Sequence, residues 1–112
     1  MSRHDDQTRL THMLNHAVEA VDMAKGRSRQ DLDLDRQLNL ALVRLLEIIG
    51  EAAVRVSEEA RKRDLTIPWE AVRSMRNRLI HGYDDVDFDI VWDVVQKDLP
   101  ELIPKLRRML LQ

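Results

Sequence analysis

The sequence predicts an all-α protein, an up-and-down bundle of four main helices followed by a short C-terminal helix. Three observations lead there. Apolar residues recur at i, i+3, i+4 and i+7 through most of the chain. Only three glycines and three prolines punctuate its 112 residues. No window alternates β-branched and polar residues with a period of two. The length is that of one domain, residues 1–112, with enough chain to bury a core.

Leu10, Met13, Leu14, Ala17, Val21 and Ala24 share one face and predict a first helix ending near Gly26. The polar, acidic segment 27–35 reads as a connection. The second helix carries two stripes. One is Leu38, Ala41, Leu42, Leu45, Ile49, Ala52 and Val56; the other is Leu40, Val43, Leu46, Gly50 and Val54. Two apolar faces call for a central helix, or for one face covered by the fold and the other by a partner chain. The charged run 57–64 reads as a solvated helix end.

Ile67-Pro68-Trp69-Glu70 opens a third helix, since proline suits a first turn and disfavours helix before it. Its inward residues are Ala71, Val72, Met75 and Leu79, and it should stop at Gly82. The acidic loop 84–87 can cap a fourth helix that turns Phe88, Val91, Trp92 and Val95 inward. Asp98-Leu99-Pro100-Glu101 has the D-x-x-E form of a capping box, which predicts a separate last helix. That helix would turn Leu102, Ile103, Leu106 and Leu110 inward. Trp69 and Trp92 read as core or interface packing.

Composition excludes several functional classes. Hydrophobic residues at 44% and charged residues at 34% fit neither a disordered chain nor a membrane protein. The longest apolar run, Leu40 to Val43, falls far short of the roughly 20 residues that span a bilayer. Residues 1–6 have no apolar stretch of the secretory kind, so a cytoplasmic protein is expected. The absence of cysteine rules out disulfides, thiolate metal sites and thiol catalysis. A net charge of −2 argues against coating nucleic acid by bulk electrostatics, yet leaves room for a local cationic site. Aromatics at 4% are too few for a platform that stacks several bases.

Two places could hold chemistry. His12 and His16, four apart on one helix, could share a metal with Asp5, Asp6 or Glu19. Two nitrogens are not a site, however, and they read as surface residues; no metal is expected. The other place is Arg73 to Tyr83, which gathers Arg73, Arg76, Arg78, Asn77, His81 and Tyr83 at a predicted helix end. On a continuing helix Arg76 and His81 would stand ~140° apart, and a turn relaxing around Gly82 could bring them closer. A guanidinium grips phosphate oxygens in a fork, and an imidazole titrating near neutrality moves protons. The plainer alternative is a surface network of these arginines with Asp84, Asp85, Asp87 and Asp89, with His81 closing the helix. Mid-helix, Gly50 could admit a neighbouring helix, while Glu51 either pairs with a motif arginine or faces solvent.

Arg76-x4-His81-x-Tyr83 resembles the R-x4-H-x-Y motif of HepT-type ribonuclease toxins in the HEPN superfamily. The resemblance extends to Leu45–Ala52, to Ile67-Pro68-Trp69, to Met75–Tyr83, and to Asp89–Trp92 followed by Asp98–Leu102. These segments occur in order along nearly the whole chain, without large insertions; the loop 27–35 has no usable match. The resemblance implies an all-helical homodimer whose two motifs share one cleft and which cleaves RNA without metal or other cofactor. It makes Arg76 and His81 catalytic and Asn77 the supporting polar residue. It makes Tyr83 the acceptor of AMP from ATP, transferred by a minimal nucleotidyltransferase antitoxin (MntA type) that thereby silences the toxin. The second stripe of helix two, or the third helix beside it, would lie at the dimer interface. The reading from another class is a non-catalytic helical module that binds nucleotide or RNA, or partners a nucleotidyltransferase.

Overall fold

The computed structural model describes residues 3–112; Met1 and Ser2, the start of the segment that lacks a secretory-type apolar stretch, lie outside them. Helix α1 (Arg3–Ala24) starts with Asp5 and Asp6 in its first turn, where carboxylates complement the helix dipole. Past its end Gly26 takes φ +74°, the left-handed conformation glycine tolerates, and Arg27 N–H reaches the Ala24 carbonyl at 3.1 Å. The connection is less irregular than its polarity suggests. It contains one helical turn, α2 (Asp31–Leu34), pinned by the buried Leu32. Asp35 then caps α3 (Arg36–Arg55) by accepting the Leu38 N–H at 3.0 Å.

Helix α3 runs antiparallel to α1. Asp6, near the start of α1, accepts the Ser57 N–H and hydroxyl at 2.8 and 2.7 Å just beyond the end of α3. Ser57 in turn caps the short α4 (Glu58–Arg61). Helix α3 packs against α1 and also against α5 (Trp69–Arg73) and α6 (Met75–Leu79). Both stripes are therefore largely internal: Leu38, Leu42, Leu45, Ile49 and Ala52 are buried, and so are Leu46 and Gly50 of the second stripe. Only Leu40 and Val54 of that stripe remain exposed, at 52% and 51%. Much of the surface that seemed to need a partner is thus covered by the chain itself.

The predicted third helix is in fact two. It breaks at Ser74 (φ −90°, ψ 12°), and the guanidinium of Arg78 donates to the Ala71 carbonyl at 3.3 Å, an acceptor that an unbroken helix would have satisfied with Met75 N–H. Helix α6 also ends earlier than expected, at Leu79. The chain becomes extended at Ile80 and forms a small antiparallel hairpin, β1 (Ile80–Gly82) with β2 (Asp85–Val86), pairing Ile80 with Val86 and Gly82 with Asp85. Asp87 N–H closes it on the Leu79 carbonyl at 2.7 Å. As expected, the acidic loop caps the next helix, α7 (Phe88–Asp93), and the capping residue is Asp87.

No separate last helix starts at Asp98. Helix α7 continues through a π-helical stretch, Val94–Asp98, into α8 (Leu99–Leu110), and Asp98 is helical with no capping bond from its side chain. Pro100 offers no N–H to the carbonyl four residues back and crowds it in an α-helix. The wider turn, in which Leu99 N–H bonds the Val94 carbonyl, accommodates the ring. Leu102, Leu106 and Met109 are buried, whereas Ile103 and Leu110 are only partly so. Trp69 is a core residue whose indole N–H donates to the Asp64 carbonyl at 3.0 Å; Trp92 is half-buried against the core. The architecture is all-α apart from the hairpin, and no helix among the described residues is long and apolar enough to cross a membrane.

Candidate active site

Two adjoining elements position the residues singled out in the sequence. Helix α6 carries Arg76 and Asn77, and the hairpin carries His81 on β1 and Tyr83 at its tip. The placement of α6 depends on Gly50. A Cβ there would sit 2.7 Å from Met75 Cβ and 3.2 Å from the Val72 carbonyl oxygen, so glycine is what lets the motif segment lie on α3.

Arg76 is largely exposed, and its Nε lies 3.6 Å from Oε2 of Glu47 on α3, a carboxylate only 18% exposed. Glu51 does not pair with a motif arginine. It is solvent-facing and sits 3.7 Å from Arg44. Glu47 and Glu51 are one turn apart on one face, so periodicity alone could not choose between them; the position of α6 does. Asn77 is exposed and makes no side-chain hydrogen bond among the described residues.

His81 is half-exposed, and its Nε2 lies 3.3 Å from Oδ2 of Asp87. Asp87 Oδ1 accepts the Ile90 N–H at 3.1 Å. That backbone bond first, and the contact with His81 second, hold the Asp87 carboxyl below the usual carboxylate range. Tyr83 is fully exposed. No direct hydrogen bond or ion pair joins Arg76 to His81: each cationic or cation-forming group has its own carboxylate and an open face to solvent.

The alternative surface network does not form. Arg73 pairs with Glu70 at 3.6 Å and Arg78 with Asp98 at 3.4 Å, while Asp89 takes Arg29 at 2.7 Å. His81 lies on a strand rather than closing a helix. Glu47 is the site residue to which the sequence assigned no role. Asp87 was legible only as one of several acidic residues in the loop before α7, a candidate cap or arginine partner. It caps the helix with one oxygen and meets His81, not an arginine, with the other.

The two α1 histidines are not assembled into a site of this kind. His16 Nδ1 is 2.8 Å from the His12 carbonyl oxygen, and the rings meet edge-on with centroids 6.5 Å apart. Among the described residues no three His, Cys, Asp or Glu side chains gather as a ligand set.

The chain is similar to known proteins over most of its length. The family model for ribonuclease HepT-like proteins matches residues 13–109. A candidate RNase of Caldanaerobacter subterraneus subsp. tengcongensis is 37% identical over 101 residues, covering 90% of each chain. The probable ribonuclease HepT of Thermococcus cleftensis is 32% identical over 100 residues, 86% of this chain and 91% of that one. A candidate RNase of Methanocaldococcus jannaschii is 29% identical over 102 residues, 91% of this chain and 94% of its own. No solved structure matches the chain.

Proposed function

Because the chain belongs to the HepT-like ribonuclease family, we propose that it is an endoribonuclease toxin, a single cytoplasmic domain that cleaves RNA without metal. The observation that carries this reading is the placement of an exposed guanidinium, Arg76, and a half-exposed imidazole, His81, on adjoining elements, each with its own carboxylate. Arg76 holds non-bridging phosphate oxygens and offsets the charge that grows on the phosphorane. His81 moves the proton of the RNA 2′-hydroxyl as it attacks the adjacent phosphorus. DNA, lacking that hydroxyl, resists. Asn77, exposed beside Arg76, supports substrate binding.

The active form is a homodimer that joins two such motifs in one cleft. The exposed Leu40 and Val54 on α3 support this, because they are the part of the second stripe that the chain leaves uncovered. The antitoxin is a minimal nucleotidyltransferase that transfers AMP to Tyr83. The full exposure of that phenol supports this role. Two residues from His81, the added phosphodiester competes with RNA for Arg76 and fills the cleft. The test is RNA cleavage by unmodified protein. Loss of cleavage in His81→Ala is expected, and full cleavage by that variant overturns the reading.

A further inference from the structure

His81 is held by one side chain, and that side chain has two tasks. Asp87 Oδ1 caps α7 through the Ile90 N–H, while Oδ2 lies 3.3 Å from His81 Nε2. The Asp87 N–H also donates to the Leu79 carbonyl at 2.7 Å, so backbone and carboxylate are both pinned where the hairpin meets α7. We infer that Asp87 is a positioning residue that fixes the tautomer of His81, placing the neutral ring's proton on Nε2 and leaving Nδ1 free to accept one. The assignment of Nδ1 as the base toward RNA rests on the ribonuclease reading above; the tautomer itself does not.

Donors and acceptors decide which nitrogen carries the proton. An ionised carboxylate only accepts hydrogen bonds, and a neutral imidazole has a single N–H to give. Ile90 N–H and then His81 hold the Asp87 carboxyl below the usual carboxylate range, so it is an ionised acceptor near neutrality. Its contact with Nε2 therefore requires the proton to be there, and the lone pair falls to Nδ1. In the reaction the 2′-oxygen bonds to phosphorus as its proton passes to Nδ1. The bond from phosphorus to the 5′-oxygen breaks, and that oxygen takes a proton from a second acid, either the partner copy's protonated imidazole or water. The products are a 2′,3′-cyclic phosphate and a 5′-hydroxyl.

The same geometry makes one substitution informative. In Asp87→Asn the cap still needs an oxygen facing Ile90 N–H, and asparagine is among the best residues at that position. The amide NH2 must then face His81, where it can only donate. Nε2 becomes an acceptor, the ring proton moves to Nδ1, and the base is lost without loss of the cap. Asp87→Ser keeps the cap and presents no partner to the ring.

The experiment reads ring-nitrogen chemical shifts of 15N-histidine-labelled, unmodified protein, together with kcat and KM on an oligoribonucleotide. Expected are the Nε2–H tautomer in wild type and the Nδ1–H tautomer in Asp87→Asn. In the latter kcat should fall on the order of 10²-fold, the usual scale of a lost general base, with KM little changed. Asp87→Ser should show both tautomers and an intermediate kcat. A wild-type Nδ1–H tautomer, or an Asp87→Asn protein with unchanged tautomer and kcat, overturns the inference. Tautomers that behave as expected in a wild type that cleaves no RNA overturn the ribonuclease reading and leave the role of Asp87 standing.

Discussion

Glu47 and Arg76 meet across the α3–α6 contact, with Nε and Oε2 3.6 Å apart, and their surroundings differ sharply: the carboxylate is 18% exposed and the guanidinium 69%. A mostly covered anion thus steadies the root of an arginine whose outer face is free for a phosphate. The pair reaches solvent, so it adds little to stability, on the order of 0–1 kcal/mol. Its effect belongs to the site. Glu47→Gln should leave the melting temperature nearly unchanged while lowering RNA cleavage about tenfold. Parallel melting and cleavage assays check both halves.

The close approach at Gly50 predicts the opposite pattern. Gly50→Ala gains helix propensity worth about 0.5–1 kcal/mol. It also drives a methyl to 2.7 Å from the Met75 Cβ, a rigid stem rather than a flexible tip. Overpacking of that kind costs about 1–3 kcal/mol, so the net effect is destabilising. Because α5 and α6 must move to relieve it, cleavage should fall together with the melting temperature. Calorimetry and activity on the same sample test that coupling.

Acid should destabilise the protein through identifiable carboxylates. Asp35 is held below its ordinary value of 3.8 by the Leu38 N–H and then Arg27, Asp64 by the Thr66 hydroxyl, and Asp87 by the Ile90 N–H. Groups whose pKa is lowered in the folded state stabilise it above their unfolded value; that contribution disappears as pH falls through the lower, folded value. Stability should therefore be flat near neutrality and drop below about pH 4. Melting curves between pH 3 and 7 should show this, and Asp35→Asn should make the drop shallower.

Tyr83→Phe should cleave RNA as wild type does, since the phenol is fully exposed and takes no part in the proposed chemistry. It should gain no AMP mass on incubation with ATP and the antitoxin, which intact-mass spectrometry reads directly. Leu40→Glu combined with Val54→Glu should convert a wild-type dimer to a folded, inactive monomer, as sedimentation would show.

Much of this was legible in the sequence because it depends on local rules. The stripes of α1 and α3, the Gly26 stop, the start near Trp69 and the cap before Phe88 follow from periodicity and turn chemistry. The misses arise where a longer-range or backbone effect wins. The π-helical passage at Val94–Asp98 overrides the capping-box pattern because the chain accommodates Pro100 without stopping. Ile80 pairs with Val86 instead of extending α6, a choice made by a hairpin that helical spacing cannot register. At the site, Arg76, Asn77, His81 and Tyr83 were named from a motif. Glu47 was not, because it reaches Arg76 only through tertiary packing, and Asp87 was legible only as one of four acidic candidates for the arginines, whereas the hairpin turns it toward His81.

The most direct test is RNA cleavage in EDTA by wild type, Arg76→Ala and His81→Ala, each confirmed folded by circular dichroism and free of AMP by intact mass. Wild type should cleave, and both variants should lose at least about 10²-fold. Wild type that is unmodified, dimeric and inactive, or variants that cleave as well as wild type, would contradict it.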